Sequence, residues 1–169
     1  MPFFHSLGPH TLSKTLFLAV PMIAATTIGT AGSANAAEVI NLTQTGCQFL
    51  EPEGRDHDYR TTKKADCEAI NSESGADRVA ASEVIQLKPG KYVFRVTNKN
   101  VPYELGFWLR DKDYDWRNPL HKATKTSVSG GGLLLGKSKN DEVTLKPGEY
   151  IYSCPLNSTP DYKIVVSEG

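Results

Sequence analysis

Apolar residues recur at every second position over several short stretches of this chain, and each such stretch predicts a strand with one buried face. Val39-Ile40-Asn41-Leu42-Thr43 is the first and ends at the turn Thr45-Gly46. Glu83-Val84-Ile85-Gln86-Leu87 and Tyr92-Val93-Phe94-Arg95-Val96-Thr97 come next. Pro89-Gly90 joins them, one residue fixing φ and the other permitting the positive φ of a type II turn. Tyr103 to Leu109 predicts a further strand, with Leu105, Phe107 and Leu109 on one face and Glu104, Gly106 and Trp108 on the other. Leu145-Lys146-Pro147-Gly148-Glu149-Tyr150 repeats the device of Leu87 to Tyr92 and feeds a strand that reaches Cys154. Tyr162 to Val166 closes the series. About seven strands with Pro-Gly turns and no amphipathic helix predict an all-β, Greek-key β-sandwich.

Two stretches break the alternation. Residues 51–82 are rich in Glu, Asp, Arg, Lys and Ser, and form a long insertion after the first strand. Its best helical candidate is Lys64 to Ile70. A loop of this length inside a compact domain is functional or pinned down. Residues 110–132 form a second long connection that ends in Ser129-Gly130-Gly131-Gly132. The glycines lack the Lys-Ser/Thr of a phosphate loop, so a flexible turn is expected there.

The N-terminus changes the setting. Lys14 precedes the apolar run Leu16 to Ala25, and small residues lead to Ala34-Asn35-Ala36, the A-x-A pattern of a signal peptidase site. The run falls short of the roughly 20 residues that span a bilayer, and Pro21 interrupts it. Residues 1–36 therefore read as a cleaved signal peptide, and residues 37–169 as a single periplasmic domain with no stable membrane anchor. Removing the leader takes out one lysine and no acid, so the mature surface stays close to neutral. No basic stripe is present for nucleic acid. A metal ion or an exported protein is the partner that composition leaves open. No G-x-S-x-G, H-E-x-x-H or triad pattern occurs, and no enzymatic activity is expected.

The chemistry rests on three cysteines, Cys47, Cys67 and Cys154, in an oxidising compartment. A Cys47–Cys67 bridge closes a loop of roughly 20 residues, worth about 3 kcal/mol in the chain-entropy account. It pins the insertion and leaves Cys154 free. A Cys47–Cys154 bridge instead ties the first strand to the last loop and consumes the Cys154 thiol. The first pairing accounts for the insertion.

The ending L-x-P-G-x-Y-x-Y-x-C-P, followed by a short loop and a last strand, resembles the cupredoxins. In that family the cysteine supplies a copper thiolate, one histidine follows it closely, and another follows a strand ending in a T-N pair. Here the matching stretches are Cys154 to Asn157 and Val96-Thr97-Asn98-Lys99-Asn100-Val101-Pro102-Tyr103. Tyr103 and Asn157 occupy the histidine positions, and no methionine follows Met22. A type 1 copper centre needs two imidazoles and a thiolate, so none is expected. Leu42-Thr43-Gln44-Thr45-Gly46-Cys47 looks like the first strand of cupredoxin domains in the EfeO-like periplasmic iron-uptake group. That resemblance implies copper or iron held by Cys47, Glu104 and Cys154. His57, among Glu53, Asp56 and Asp58, is a further candidate ligand. The alternative is a metal-free sandwich acting as an interaction or accessory subunit of an exported complex. The aromatics around the second long connection, Trp108 and Trp116 among them, would supply its surface.

Overall fold

A computed structural model describes residues 36–168. The leader assigned to residues 1–36 lies outside the described residues, apart from Ala36. Nine strands and three helices follow in the order β1 (Glu38–Thr45), β2 (Gln48–Phe49), α1 (Leu50–Glu53), α2 (Lys64–Ala81), β3 (Ile85–Leu87), β4 (Gly90–Asn98), β5 (Leu105–Asp111), α3 (Pro119–Thr124), β6 (Ser127–Leu133), β7 (Ser138–Leu145), β8 (Gly148–Ser153) and β9 (Tyr162–Val166). They build a four-stranded sheet, β2-β1-β4-β7, and a five-stranded sheet, β3-β9-β8-β5-β6. The all-β sandwich expected from the alternation is what forms. The chain changes sheets between β2 and β3, β3 and β4, β4 and β5, β6 and β7, and β7 and β8. No helix among the described residues is long and apolar enough to cross a membrane.

The core is the shared inner face of the two sheets. Leu42, Phe94 and Val96 from one sheet meet Leu105, Phe107, Leu109, Tyr150, Tyr152, Tyr162 and Ile164 from the other. Phe49, on β2, sits edge-on to Tyr152 at 5.3 Å and to Tyr162 at 5.8 Å. Such edge-to-face pairs add about 0.5–1.5 kcal/mol each beyond their area burial.

Four expectations need correction. The helix expected at Lys64 to Ile70 runs on to Ala81 and is amphipathic in an unusual way. Its inward side carries Cys67, Asn71, Gly75 and Arg78, at helical spacing but without a large apolar residue. A hydrophobic pattern cannot register a face made of a sulfur, an amide, a hydrogen and a guanidinium. The flexible turn expected at Ser129 to Gly132 is instead part of β6, paired with β5 through Phe107↔Gly130, Trp108↔Ser129 and Leu109↔Val128. β7 was absent from the strand pattern, because two of its inward positions are the charged pair Lys139–Asp141 rather than apolar residues. Finally, Gly90 is not in the left-handed region a type II turn asks of it, and opens β4 as extended backbone.

Candidate functional site

β8 delivers Cys154 to one end of the sandwich. The chain then turns tightly: Cys154 N donates to Thr159 Oγ1 at 2.8 Å, and the Cys154 carbonyl accepts from Asn157 N at 3.2 Å and Thr159 N at 3.3 Å. The Cys154 side chain is fully buried and its thiol is free. Sγ accepts from two backbone N–H groups, Gly106 at 3.3 Å and Asn157 at 3.2 Å. Burial pushes the thiol above its usual range, and these two donors only partly offset it. Gly106 must be glycine, since a Cβ there would meet Gly130 O at 2.8 Å. The Gly106 carbonyl accepts from Gln44 Nε2 at 2.8 Å, while Gln44 Oε1 is buried without a partner. Gln44 follows Leu42 on the inward face of β1, and that alternation was the one sequence signal for it.

The two positions that the cupredoxin resemblance assigns to histidine come together here. Asn98, at the end of β4, pins the connecting loop by donating to Val101 O at 3.0 Å and accepting from Val101 N at 2.9 Å. That loop brings Tyr103 Oη to 3.1 Å from Asn157 Oδ1, the donor being the phenol. The same Oδ1 accepts from Cys47 N at 3.2 Å, and Asn157 Nδ2 donates to Thr45 O at 2.7 Å. Asn157 thus ties the β8–β9 loop to the β1–β2 turn and to Tyr103. Burial raises the Tyr103 phenol above its ordinary value.

Cys47 and Cys67 form a disulfide, with Cα atoms 4.9 Å apart. The Cys67 sulfur lies 3.2 Å from Asn157 Oδ1; it carries no proton, so this is a packing contact rather than a hydrogen bond. The first turn of α2 is thereby fixed over the Tyr103–Asn157 pair. Further along α2, Arg78 donates to Glu53 through Nε at 2.9 Å and Nη2 at 2.7 Å, and to Cys47 O at 3.0 Å. Asn71 bridges Cys47 O and Ser158 O. Tyr162 also donates to Glu53, and His57 Nε2 lies 2.7 Å from its other oxygen. Burial alone would raise the Glu53 carboxyl, but the Arg78 and Tyr162 bonds prevail and hold it below its ordinary value.

The expected ligands are therefore scattered. Cys154 is buried beneath Gly106. Cys47 is bonded to Cys67 and has no thiolate to offer while the disulfide stands. Glu104 is exposed, and its Oε1 accepts from Gly132 N at 2.7 Å, in contact with Gly131. His57 is spent on Glu53 and on a parallel stack with Tyr59 at 5.3 Å. Among the described residues, no group of three or more His, Cys, Asp or Glu side chains converges as a metal site. The residues present do not fit a type 1 copper centre: a phenol and a carboxamide, already bonded to each other, stand where two imidazoles are needed. Arg78 and Asn71, which hold the insertion in place, carried no sequence signal.

Above Gly106 the outer face of β5 and β6 opens as a groove of about 350 Å³. Trp108, Trp116 and Leu156 wall it, over a floor that includes Gly106 and Gly131. Arg110 stacks on Trp108 at 3.8 Å and is held by Asp161.

No known family model matches the chain, and no curated protein matches it. Solved structures do align. An auracyanin from the photosynthetic bacterium Roseiflexus castenholzii, reduced with dithionite, aligns at 12% identity, covering 78% of this chain and 98% of its own, with a TM-score of 0.45. Auracyanin B aligns at 11% identity over 78% of this chain and 89% of its own, with a TM-score of 0.44. Reduced rusticyanin aligns at 18% identity over 50% of this chain and 60% of its own, with a TM-score of 0.34.

Proposed function

We propose that this chain is an exported, cupredoxin-like sandwich that works as a protein-interaction or accessory subunit, its copper end converted into a closed structural joint. One observation carries the reading: Tyr103 and Asn157, at the two imidazole positions, satisfy each other at 3.1 Å under a disulfide-anchored helix. Opening that joint to admit a metal would leave buried polar groups unpaired, at about 1–3 kcal/mol each. The exposed Trp116 and Leu156 beside the groove give such a subunit a surface to present.

A second reading has its own support. Cys154 Sγ accepts two backbone N–H groups, which act toward a thiolate against the larger effect of burial. In that reading the protein handles copper or iron through Cys154, with Glu104 joining after rearrangement, as in the EfeO-like group. Metal analysis separates the two. Protein purified anaerobically from a periplasmic fraction, then offered Cu(I), Cu(II) or Fe(III), should retain no stoichiometric metal. One equivalent retained by the wild type and lost in Cys154→Ala would overturn the interaction reading and establish the metal one.

A further inference from the structure

Asn157 touches all three cysteines of the chain. Its backbone N–H donates to Cys154 Sγ at 3.2 Å, its Oδ1 accepts from Cys47 N at 3.2 Å, and the same Oδ1 lies 3.2 Å from the Cys67 sulfur. A free thiol and a disulfide are thus held in contact with one residue, and all three cysteines are fully buried. Such a set is open to exchange, because a thiolate attacks a neighbouring disulfide with no further oxidant or reductant. Two features stand in the way. The Gly106 and Asn157 amides fix Cys154 Sγ in place, at 3.3 Å and 3.2 Å. The Asn157 carboxamide lies against Cys67, held there by Thr45 O at 2.7 Å from Nδ2 and by Tyr103 Oη at 3.1 Å from Oδ1. Reacting atoms must approach to about 3–3.5 Å. The Asn157 side chain takes that place beside Cys67.

We infer that Asn157 is the positioning residue that insulates the Cys154 thiol from the disulfide, and that removing its side chain opens an internal exchange onto Cys67. In that exchange Cys154 gives its proton to hydroxide and its Sγ bonds to the Cys67 sulfur. The Cys47–Cys67 bond breaks, and Cys47 leaves as a thiolate that takes a proton from water. No electrons leave the chain, which keeps one disulfide and one thiol throughout. Cys67 is the sulfur attacked because it is the one the carboxamide covers. α2 then passes from an anchor on the β1–β2 turn to one on the β8–β9 loop. The choice of isomer therefore sets which loop the insertion is fastened to. Burial, which keeps the thiol protonated, acts in the same direction as Asn157.

Peptide mapping by mass spectrometry tests this on the mature chain. The protein is held dilute at about pH 9, where an ordinary thiol ionises, with chelator present and no added thiol or oxidant, and is then quenched in acid. The wild type should keep Cys47–Cys67. Asn157→Ala should accumulate Cys67–Cys154, with Cys47 as the thiol that alkylates, at least about tenfold faster. Tyr103→Phe loosens the same joint yet leaves the carboxamide over Cys67, and should map as the wild type does. Exchange in Asn157→Ala no faster than in the wild type overturns the inference. Equal exchange in Tyr103→Phe also overturns it, since general loosening would then account for the effect. Near-ultraviolet circular dichroism checks that each variant is folded; if Asn157→Ala is not, Asn157→Ser takes its place with the same outcomes. The chelator keeps metal out of the comparison, so this result is separate from the metal reading of Cys154.

Discussion

Two polar clusters hold the insertion to the sandwich, and they do it by different physics. Around Asn157 every group is neutral: a carboxamide, a phenol, a disulfide, a thiol and backbone amides. Around Glu53 the groups are ionic: a buried carboxylate clasped by Arg78, with Tyr162 and His57 completing its shell. The neutral cluster gains from geometry, since each lone pair is matched and nothing must be held charged in a poor dielectric. The ionic cluster is costly to desolvate, and it holds only while both partners stay charged. The neutral joint should therefore be the more tolerant one, and the ionic clasp the point where the insertion fails.

The largest effect should come from splitting the clasp. Arg78→Ala leaves the Glu53 carboxylate, 2% exposed, without its counter-charge, and also strips Cys47 O of a donor. Removing one partner of such a pair typically costs about 3–5 kcal/mol. Urea unfolding should show the loss, and exchange protection should fall along α2. Acid probes the same clasp. Because Glu53 is held below its ordinary value of 4.5, its contribution is present above that pH and disappears as pH falls through the lowered folded value. In Arg78→Ala the Arg78 hydrogen bond and charge no longer lower Glu53, so destabilisation should begin at higher pH than in the wild type.

Splitting the neutral joint should cost less. Asn157→Ala removes the acceptor for Cys47 N and Tyr103 Oη and the donor to Thr45 O. Each unsatisfied buried group costs about 1–3 kcal/mol, but Tyr103 Oη keeps Thr61 Oγ1 at 3.3 Å, and the space vacated by the carboxamide leaves room for a water to serve Cys47 N and Thr45 O. Denaturation midpoints of Asn157→Ala and Arg78→Ala, measured side by side, test the ranking. If Asn157→Ala proves the worse of the two, the neutral joint is the stronger fastening and the comparison is reversed.

The same contrast explains what could be read from the sequence. The sandwich was legible because its inner faces obey a period of two: Leu42, Phe94, Val96, Phe107 and Leu109 sit where alternation puts them. Tyr103 and Asn157 were legible through the resemblance to the cupredoxins, and the cysteines through their odd number in an oxidising compartment. α2 beyond Ile70 was not, because Asn71, Gly75 and Arg78 are inward residues that a hydropathy scale does not count as apolar. β7 failed for the same reason at Lys139 and Asp141. Polar burial is decided by partners distant in sequence, such as Arg78 with Glu53, and a single chain read locally does not display them. Glu104 shows the converse: its residue type suggested a ligand, whereas its carboxylate serves the backbone of Gly132.

The smallest effect, and the sharpest test of the neutral cluster, lies at alkaline pH. Burial raises Cys154 above its ordinary value of 9.0, so the folded state keeps the thiol protonated where the unfolded chain would release it. A raised folded value means that the stabilisation is complete below 9.0 and declines as pH climbs toward the folded value. The slope is at most about 1.4 kcal/mol per pH unit. Tyr103, Tyr152 and Tyr162 are also raised, but from 10.0, so the interval from 9.0 to 10.0 belongs chiefly to Cys154. Urea unfolding across that interval should show the wild type losing stability while Cys154→Ala holds steady, apart from a constant offset for its lost packing. A wild type that is equally flat would mean that the Gly106 and Asn157 amides hold a thiolate as readily as water does. The thiolate would then form in the folded site as readily as in the unfolded chain, and the metal reading would gain what the structural joint loses.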